Sequence, residues 1–187
     1  MRVLLTSDEL ASGIDRLAER IRADVGRRPL FVVGVLTGSI VLVADLIRRL
    51  EGPVQVSMVW ASSYRGTATR PGALELRLDL LPDLSGQDVL LVDDIFDTGH
   101  TLEALLAELR RRGAASVRSL VLLRKQGRAE VTTEPDFVGF EIPDEFVVGY
   151  GLDFDGVWRH LPYLAVLEES EIVETRAGGC RNTHADG

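Results

Sequence analysis

The stretch Val89-Leu90-Leu91-Val92-Asp93-Asp94-Ile95-Phe96-Asp97-Thr98-Gly99-His100-Thr101 constrains this chain more than any other. Four apolar residues read as a strand buried on both faces of a parallel sheet, and carboxylates follow at its carboxyl end. From Leu102 to Arg112 the apolar positions resume with helical spacing. Open α/β sheets bind ligands just outside the carboxyl ends of their strands. The turn Asp97 to Thr101 places free backbone N–H groups at a helix start, where they favour a phosphate, and Gly99 permits close approach. Asp93 and Asp94 suit a polyhydroxyl group or Mg²⁺, since hard cations take oxygen ligands. Asp97, just past the pair, is placed to act as a base. Two other readings compete. The three carboxylates are then solvated strand-end charges beside a helix cap, or they belong to the Mg²⁺-binding strand of a P-loop NTPase. The latter requires a Gly-Lys pair that the chain lacks.

The flanking sequence supplies the rest of an α/β domain. Thr6 and Glu9 form a capping box, and Leu10, Ile14, Leu17, Ile21 and Val25 share one helical face that Gly26 ends. Leu30 to Val35 reads as a buried strand that breaks at Leu36-Thr37-Gly38-Ser39, before a helix from Ile40 to Leu50. Strand, glycine turn and helix make a second candidate anion cradle. Val54 to Trp60 is a strand, and residues 61–72 read as a mobile loop. Leu74, Leu76, Leu78 and Leu80 alternate with polar residues, so one face of that strand meets water. Beyond Gly113, Val117 to Leu123 forms another buried strand ending at Arg124-Lys125. Short strands are expected at 135–140 and 146–150, with a final apolar segment to Leu167. Residues 1–175 read as one domain and 176–187 as a disordered tail.

Composition narrows the partners. A length of 187 residues, 45% hydrophobic, suffices for a substantial single core. A net charge of -8 disfavours nucleic acid. No apolar run approaches the roughly 20 residues of a membrane span, and the start lacks a signal-peptide core, so a cytoplasmic location is expected. Cys180 alone allows no intrachain disulfide and no metal cluster. Of 21 basic residues only Lys125 is a lysine.

The stretch from Asp93 to Thr101 resembles the phosphoribosyl-pyrophosphate (PRPP) signature of the type I phosphoribosyltransferases. Ile142-Pro143-Asp144-Glu145-Phe146-Val147-Val148-Gly149-Tyr150-Gly151-Leu152-Asp153, continued by Arg159-His160-Leu161-Pro162-Tyr163, is similar to the purine-pocket segment of the hypoxanthine-guanine branch. The resemblance spans about residues 5–168, and the order of its patches is consistent throughout. It implies a mostly parallel central sheet flanked by helices, with a small hood from the terminal segments. It also implies Mg²⁺-dependent conversion of hypoxanthine or guanine with PRPP to IMP or GMP and pyrophosphate, in a homodimer or homotetramer.

By matched position, Asp97 is the implied general base for the purine N7 proton. Asp93 and Asp94 bind the ribose hydroxyls, directly or through Mg²⁺, and Asp97, Thr98, Gly99, His100 and Thr101 cradle the 5′-phosphate. Leu36, Thr37, Gly38 and Arg159 meet pyrophosphate. Lys125 donates to the purine O6, Phe146 stacks on the base and Val147 offers backbone groups. Asp153 joins the purine pocket and holds the Mg²⁺ that carries pyrophosphate, while Ser63 and Tyr64 tip a lid. Relatives of this kind carry a non-proline cis peptide at the position of Leu36-Thr37. Thr37 stands where the family often has Lys or Arg, which removes a charge from that loop. His100 replaces a more usual basic or polar residue. Two alternatives on the same fold are a nucleotide-sensing RNA-binding regulator and an interaction protein with a dead site. Intact Asp93, Asp94 and Asp97 oppose the second. The acidic charge, with Asp97, Phe146 and Asp153, opposes the first.

Overall fold

The expected capping box opens the first helix: Thr6 Oγ1 accepts from the Glu9 N–H, and the Glu9 carboxylate accepts from the Thr6 N–H. This helix, α1 (Ser7–Val25), buries the predicted stripe Leu10, Ile14, Leu17, Ile21 and Val25. In the computed structural model, which describes residues 1–63, 74–168 and 170–173, α1 packs against a six-stranded sheet. The strands that precede the site are β1 (Arg2–Leu5), β2 (Leu30–Leu36), β3 (Val54–Ser63), β4 (Leu74–Arg77) and β5 (Asp88–Phe96). After it come β6 (Ser116–Lys125), β7 (Phe137–Ile142), β8 (Val147–Val148) and β9 (Leu164–Val166). Helices α2 (Ile40–Ile47) and α3 (His100–Arg111) complete the layers.

The large sheet has the order β4-β3-β2-β5-β6-β7, parallel throughout except for β4 at the edge. Alternation along each strand feeds two cores. Val32, Leu90 and Leu120 face α1 and α2, while Val33, Leu91 and Val121 face α3. Each fully buried Leu or Ile adds about 1.5–3 kcal/mol of hydrophobic stabilisation. From β2 the chain moves outward to β3 on one side, and β5 then takes the other side of β2. The order therefore reverses between β2 and β5, where such sheets open a crevice.

A second sheet, β1-β9-β8, is antiparallel and forms the hood, pairing Arg2 with Val166 and Val147 with the same residue. Its Val147, Leu164 and neighbouring Leu152 join the core beneath α1 and α2.

Several elements differ from the sequence reading: β3 runs on to Ser63, inside the expected loop at 61–72, and α2 stops at Ile47 short of Leu50. β1 was not foreseen. The strand at 74–80 stops at Arg77, because Leu78 and Leu81 turn into the α3-side core across a Leu81 N–H to Leu78 O bond of 3.1 Å; Leu80 is left 74% exposed. The strand at 146–150 shrinks to Val147–Val148, since Gly149, Tyr150 and Gly151 have φ of 96°, 49° and 101°, which no strand accommodates. The expected tail at 176–187 lies outside the described residues. Among the described residues no helix is long and apolar enough to cross a membrane.

Candidate active site

At the β2/β5 reversal lies a cleft of about 350 Å³, floored by the ends of those strands. Its lining gathers Leu36, Thr37 and Gly38 from the β2–α2 loop with Asp93, Asp94, Asp97, Thr98, Gly99 and Thr101 from the β5–α3 turn. Asp153 and Arg159 close it from the hood. The two stretches that the sequence marked as anion cradles thus face one space.

The β5–α3 turn presents its backbone as expected. Gly99 is the N-cap of α3 with φ 89°, and among the described residues no side chain caps the first N–H groups of that helix. Those groups and the positive helix end remain available to an anion. On the opposite wall the Leu36–Thr37 peptide is cis, as the resemblance implied. A Cβ at Gly38 would lie 1.5 Å from Asp94 Oδ2, so this loop backbone and the carboxylate can be neighbours only with glycine there. Gly151 performs the same service from above: with φ at 101°, a Cβ on it would stand 2.1 Å from the Gly38 carbonyl oxygen.

Asp93 is only 7% exposed. Burial pushes its carboxyl well above the usual range, and the adjacent Asp94 adds to that. Burial raises Asp94 too, with N–H donation from Ile95 and the field of Arg159 working the other way. A buried and a half-buried carboxyl side by side fit a divalent cation or sugar hydroxyls. Among the described residues no group of three His, Cys, Asp or Glu side chains is near enough to hold a metal by itself. Asp93 and Asp94 therefore do not form one cage with Asp153. One or two carboxylates with substrate oxygens is the usual way Mg²⁺ is held, so the donor set still fits.

Arg159 and Asp153 are paired with each other, Arg159 Nη2 lying 2.7 Å from Asp153 Oδ1, while Arg159 Nη1 donates to the Gly151 carbonyl at 2.7 Å. Of the residues expected to meet the purine, Asp97 and Asp153 line the cleft, while Lys125, Phe146 and Val147 lie beyond its lining. Lys125 Nζ is 3.6 Å from Asp97 Oδ2 and 3.2 Å from Asp144 Oδ1. Phe146 is 48% exposed and meets Phe154 edge to face at 5.2 Å. Val147 is buried, which leaves only its backbone for recognition. The His100 ring turns away to Glu130 at 3.0 Å, so of that residue only the backbone serves the turn. Ser63 ends β3, whereas its side chain and Tyr64 lie outside the described residues.

Sequence reasoning missed Arg128 and Asp144. Arg128 lines the cleft and donates through Nε to Asp97 Oδ1 at 2.9 Å. The signal was its place, three residues past the end of β6, where the switch-point rule puts ligand-facing loops.

The family model described as the phosphoribosyl transferase domain matches residues 4–155. A hypoxanthine-guanine phosphoribosyltransferase of Streptococcus pneumoniae strain R6 is 38% identical over 168 residues, covering 90% of this chain and 93% of the relative. The chain belongs to the hypoxanthine-guanine phosphoribosyltransferase family. Its fold matches a hypoxanthine-guanine phosphoribosyltransferase from Bacillus anthracis with a TM-score of 0.84 at 34% identity, over 90% of this chain and 99% of the other. It also matches the Trypanosoma cruzi hypoxanthine phosphoribosyltransferase in complex with its product IMP, with a TM-score of 0.82 at 36% identity, over 91% and 95% of the two chains. The type I phosphoribosyltransferase fold expected from the resemblance is the fold observed.

Proposed function

We propose that this chain transfers the phosphoribosyl group of PRPP to hypoxanthine or guanine, releasing IMP or GMP and pyrophosphate. The observation that carries this reading is the Lys125–Asp97 pair, a donor and an acceptor 3.6 Å apart beside the phosphate-binding turn. A 6-oxopurine presents O6 and N7 side by side on one edge. Lys125 Nζ donates to O6, and the Asp97 carboxylate accepts the N7 proton, making the base a better nucleophile. Phe146 supplies a face for the ring and the Val147 backbone meets its edge.

Loss of pyrophosphate leaves positive charge on the ribose, and the carboxylates of Asp93 and Asp94 stabilise it. The α3 N-terminus holds the 5′-phosphate, while the Leu36–Gly38 backbone and Arg159 receive pyrophosphate. Asp93 and Asp94 would hold Mg²⁺ on the ribose side and Asp153 would hold it on the pyrophosphate side, each with substrate oxygens, and the ion would supply neutralisation of the leaving group's charge. With Thr37 uncharged, pyrophosphate depends on the loop N–H groups and Arg159. A homo-oligomer in the cytoplasm is the setting this reading assumes. The RNA-binding alternative draws no support from these relatives, and a net charge of -8 opposes a polyanion.

Initial rates with hypoxanthine, guanine and xanthine, each with PRPP and Mg²⁺, test the proposal. Turnover of hypoxanthine or guanine that stops on chelation of Mg²⁺ is expected. Folded protein that turns over neither base defeats it, and retardation of RNA at physiological salt would favour the alternative.

A further inference from the structure

Four side chains at the purine end of the cleft form a closed ring of alternating charge. Asp97 Oδ1 accepts from Arg128 Nε at 2.9 Å, and Asp97 Oδ2 faces Lys125 Nζ at 3.6 Å. Asp144 repeats the pattern, with Oδ1 at 3.2 Å from Lys125 Nζ and Oδ2 at 3.6 Å from Arg128 Nε. The members come from the β5–α3 turn, the end of β6, the loop after β6 and the hood turn after β7.

The segment carrying Arg128 runs along the phosphate-binding turn almost residue by residue. Glu130 N–H donates to the Thr98 carbonyl at 2.9 Å, and the Glu130 carboxylate reaches His100 at 3.0 Å. Val131 packs where a Cβ on Gly99 would fall 2.4 Å from its Cγ2. Farther along, Thr133 donates to Glu103 at 2.8 Å. This strap therefore fixes the height of Arg128 relative to Asp97.

We infer that Arg128 is a positioning residue that acts through Asp97, keeping one carboxylate oxygen occupied so that the other faces the purine. The inference rests on the proposed 6-oxopurine reaction. When a purine enters, its O6 takes the Lys125 ammonium and its N7–H donates to Asp97 Oδ2. Both Lys125 edges of the ring then open, and only the Arg128–Asp97 Oδ1 edge remains to hold the carboxylate. Without Arg128, Asp97 has one cation left among the four, and the two groups that should read the purine bind each other instead. Asp144 balances Arg128 and Lys125 from the hood, so removal of Arg128 also frees it to compete for Lys125.

The test compares Arg128→Gln and Arg128→Lys with wild type in the full chain, in both the native and the Asp97→Asn backgrounds. Steady-state rates with hypoxanthine are read together with PRPP affinity by calorimetry in Mg²⁺ and with thermal midpoints. Losing a charge-assisted hydrogen bond that orients the base should lower kcat/KM for hypoxanthine by roughly ten- to a hundredfold in Arg128→Gln. Arg128→Lys should recover part of that, because an ammonium can still bond one oxygen. PRPP affinity and the thermal midpoint should stay at wild-type values, and the Gln substitution should cost nothing further once Asp97 is Asn.

Wild-type rates in Arg128→Gln overturn the inference alone. So does an equal loss in both backgrounds, which means Arg128 acts independently of Asp97. A fall in PRPP affinity reassigns Arg128 to phosphate binding. A wild-type chain inactive with both bases fails the functional reading itself, and the inference falls with it.

Discussion

Asp93 and Asp94 stand near the end of the nine-residue strand β5, which has parallel partners on both sides, whereas Phe146 and Val147 open onto the two-residue strand β8. The first region holds its groups by burial: the sheet fixes the backbone, and the loss of solvent around the carboxyls raises them. The second holds its groups by local conformation and ion pairs. Three successive left-handed residues at 149–151 turn the chain, and Arg159 ties back to Gly151 and Asp153. In the proposed reaction the half held by burial, the rigid one, takes the sugar phosphate, and the half held by local turns and ion pairs, the adjustable one, takes the base. Substitutions in the two halves should therefore separate chemistry, recognition and stability.

The largest effect is expected at the junction of the halves. Asp97→Asn keeps the shape and removes proton acceptance, so kcat should fall by about 10²–10⁴ while PRPP binding changes little. Near-normal kcat with a chemistry-limited step would reduce Asp97 to a turn residue and break the division of labour. Lys125→Arg comes next. The side chain of Lys125 is 12% exposed and wedged between two carboxylates, where a planar fork cannot replace a compact ammonium. Hypoxanthine kcat/KM should drop roughly ten- to a hundredfold, nearly as far as in Lys125→Ala. Adenine, which offers a donor where hypoxanthine offers O6, should stay a poor substrate of wild type. An Arg variant equal to wild type would leave Lys125 a surviving surface lysine.

Phe146→Ala tests the adjustable half alone. Stacking of a base on an aromatic ring is worth about 1–3 kcal/mol, so KM for the purine should rise while the thermal midpoint holds. A collapse of the midpoint would instead make this exposed ring part of the core. The smallest effect is expected from Arg2→Ala, which breaks a paired contact to Glu145 with both distances at 2.8 Å. At an exposed site that is worth about 0.2–1 kcal/mol, a shift of no more than about 4 °C, and purine KM should barely move. A large rise in KM would show the hood to be far less independent than the comparison holds.

The sequence disclosed the rigid half through physics that acts locally. The capping box at Thr6, the stripe of α1, the four apolar residues before Asp93 and the glycine at the α3 start each carry their own signal, and each stands where it was read. The adjustable half was visible only through its resemblance to relatives. β1 was invisible because its four residues pair with a strand more than 150 positions away and their exposure pattern shows no alternation. Leu80 misled because the alternation continues past the last residue that the sheet can pair. Arg128 was one arginine among twenty in a polar loop, and nothing in its neighbours announced a carboxylate 31 positions earlier.

The pairing of Arg2 with Val166 has a consequence for how the molecule comes into being. During synthesis the first strand leaves the ribosome with no partner, and it must wait until nearly the whole described chain has followed. The β2, β3 and β5 layers can meanwhile close over short crossovers, which is the faster kind of pairing. Domains emerge and fold from the N-terminal side, yet here β1 is made before the other strands and is among the last to be placed. The small sheet is thus completed only when β1 and β9 have met, so a product lacking β9 leaves β1 and β8 without the strand that joins them.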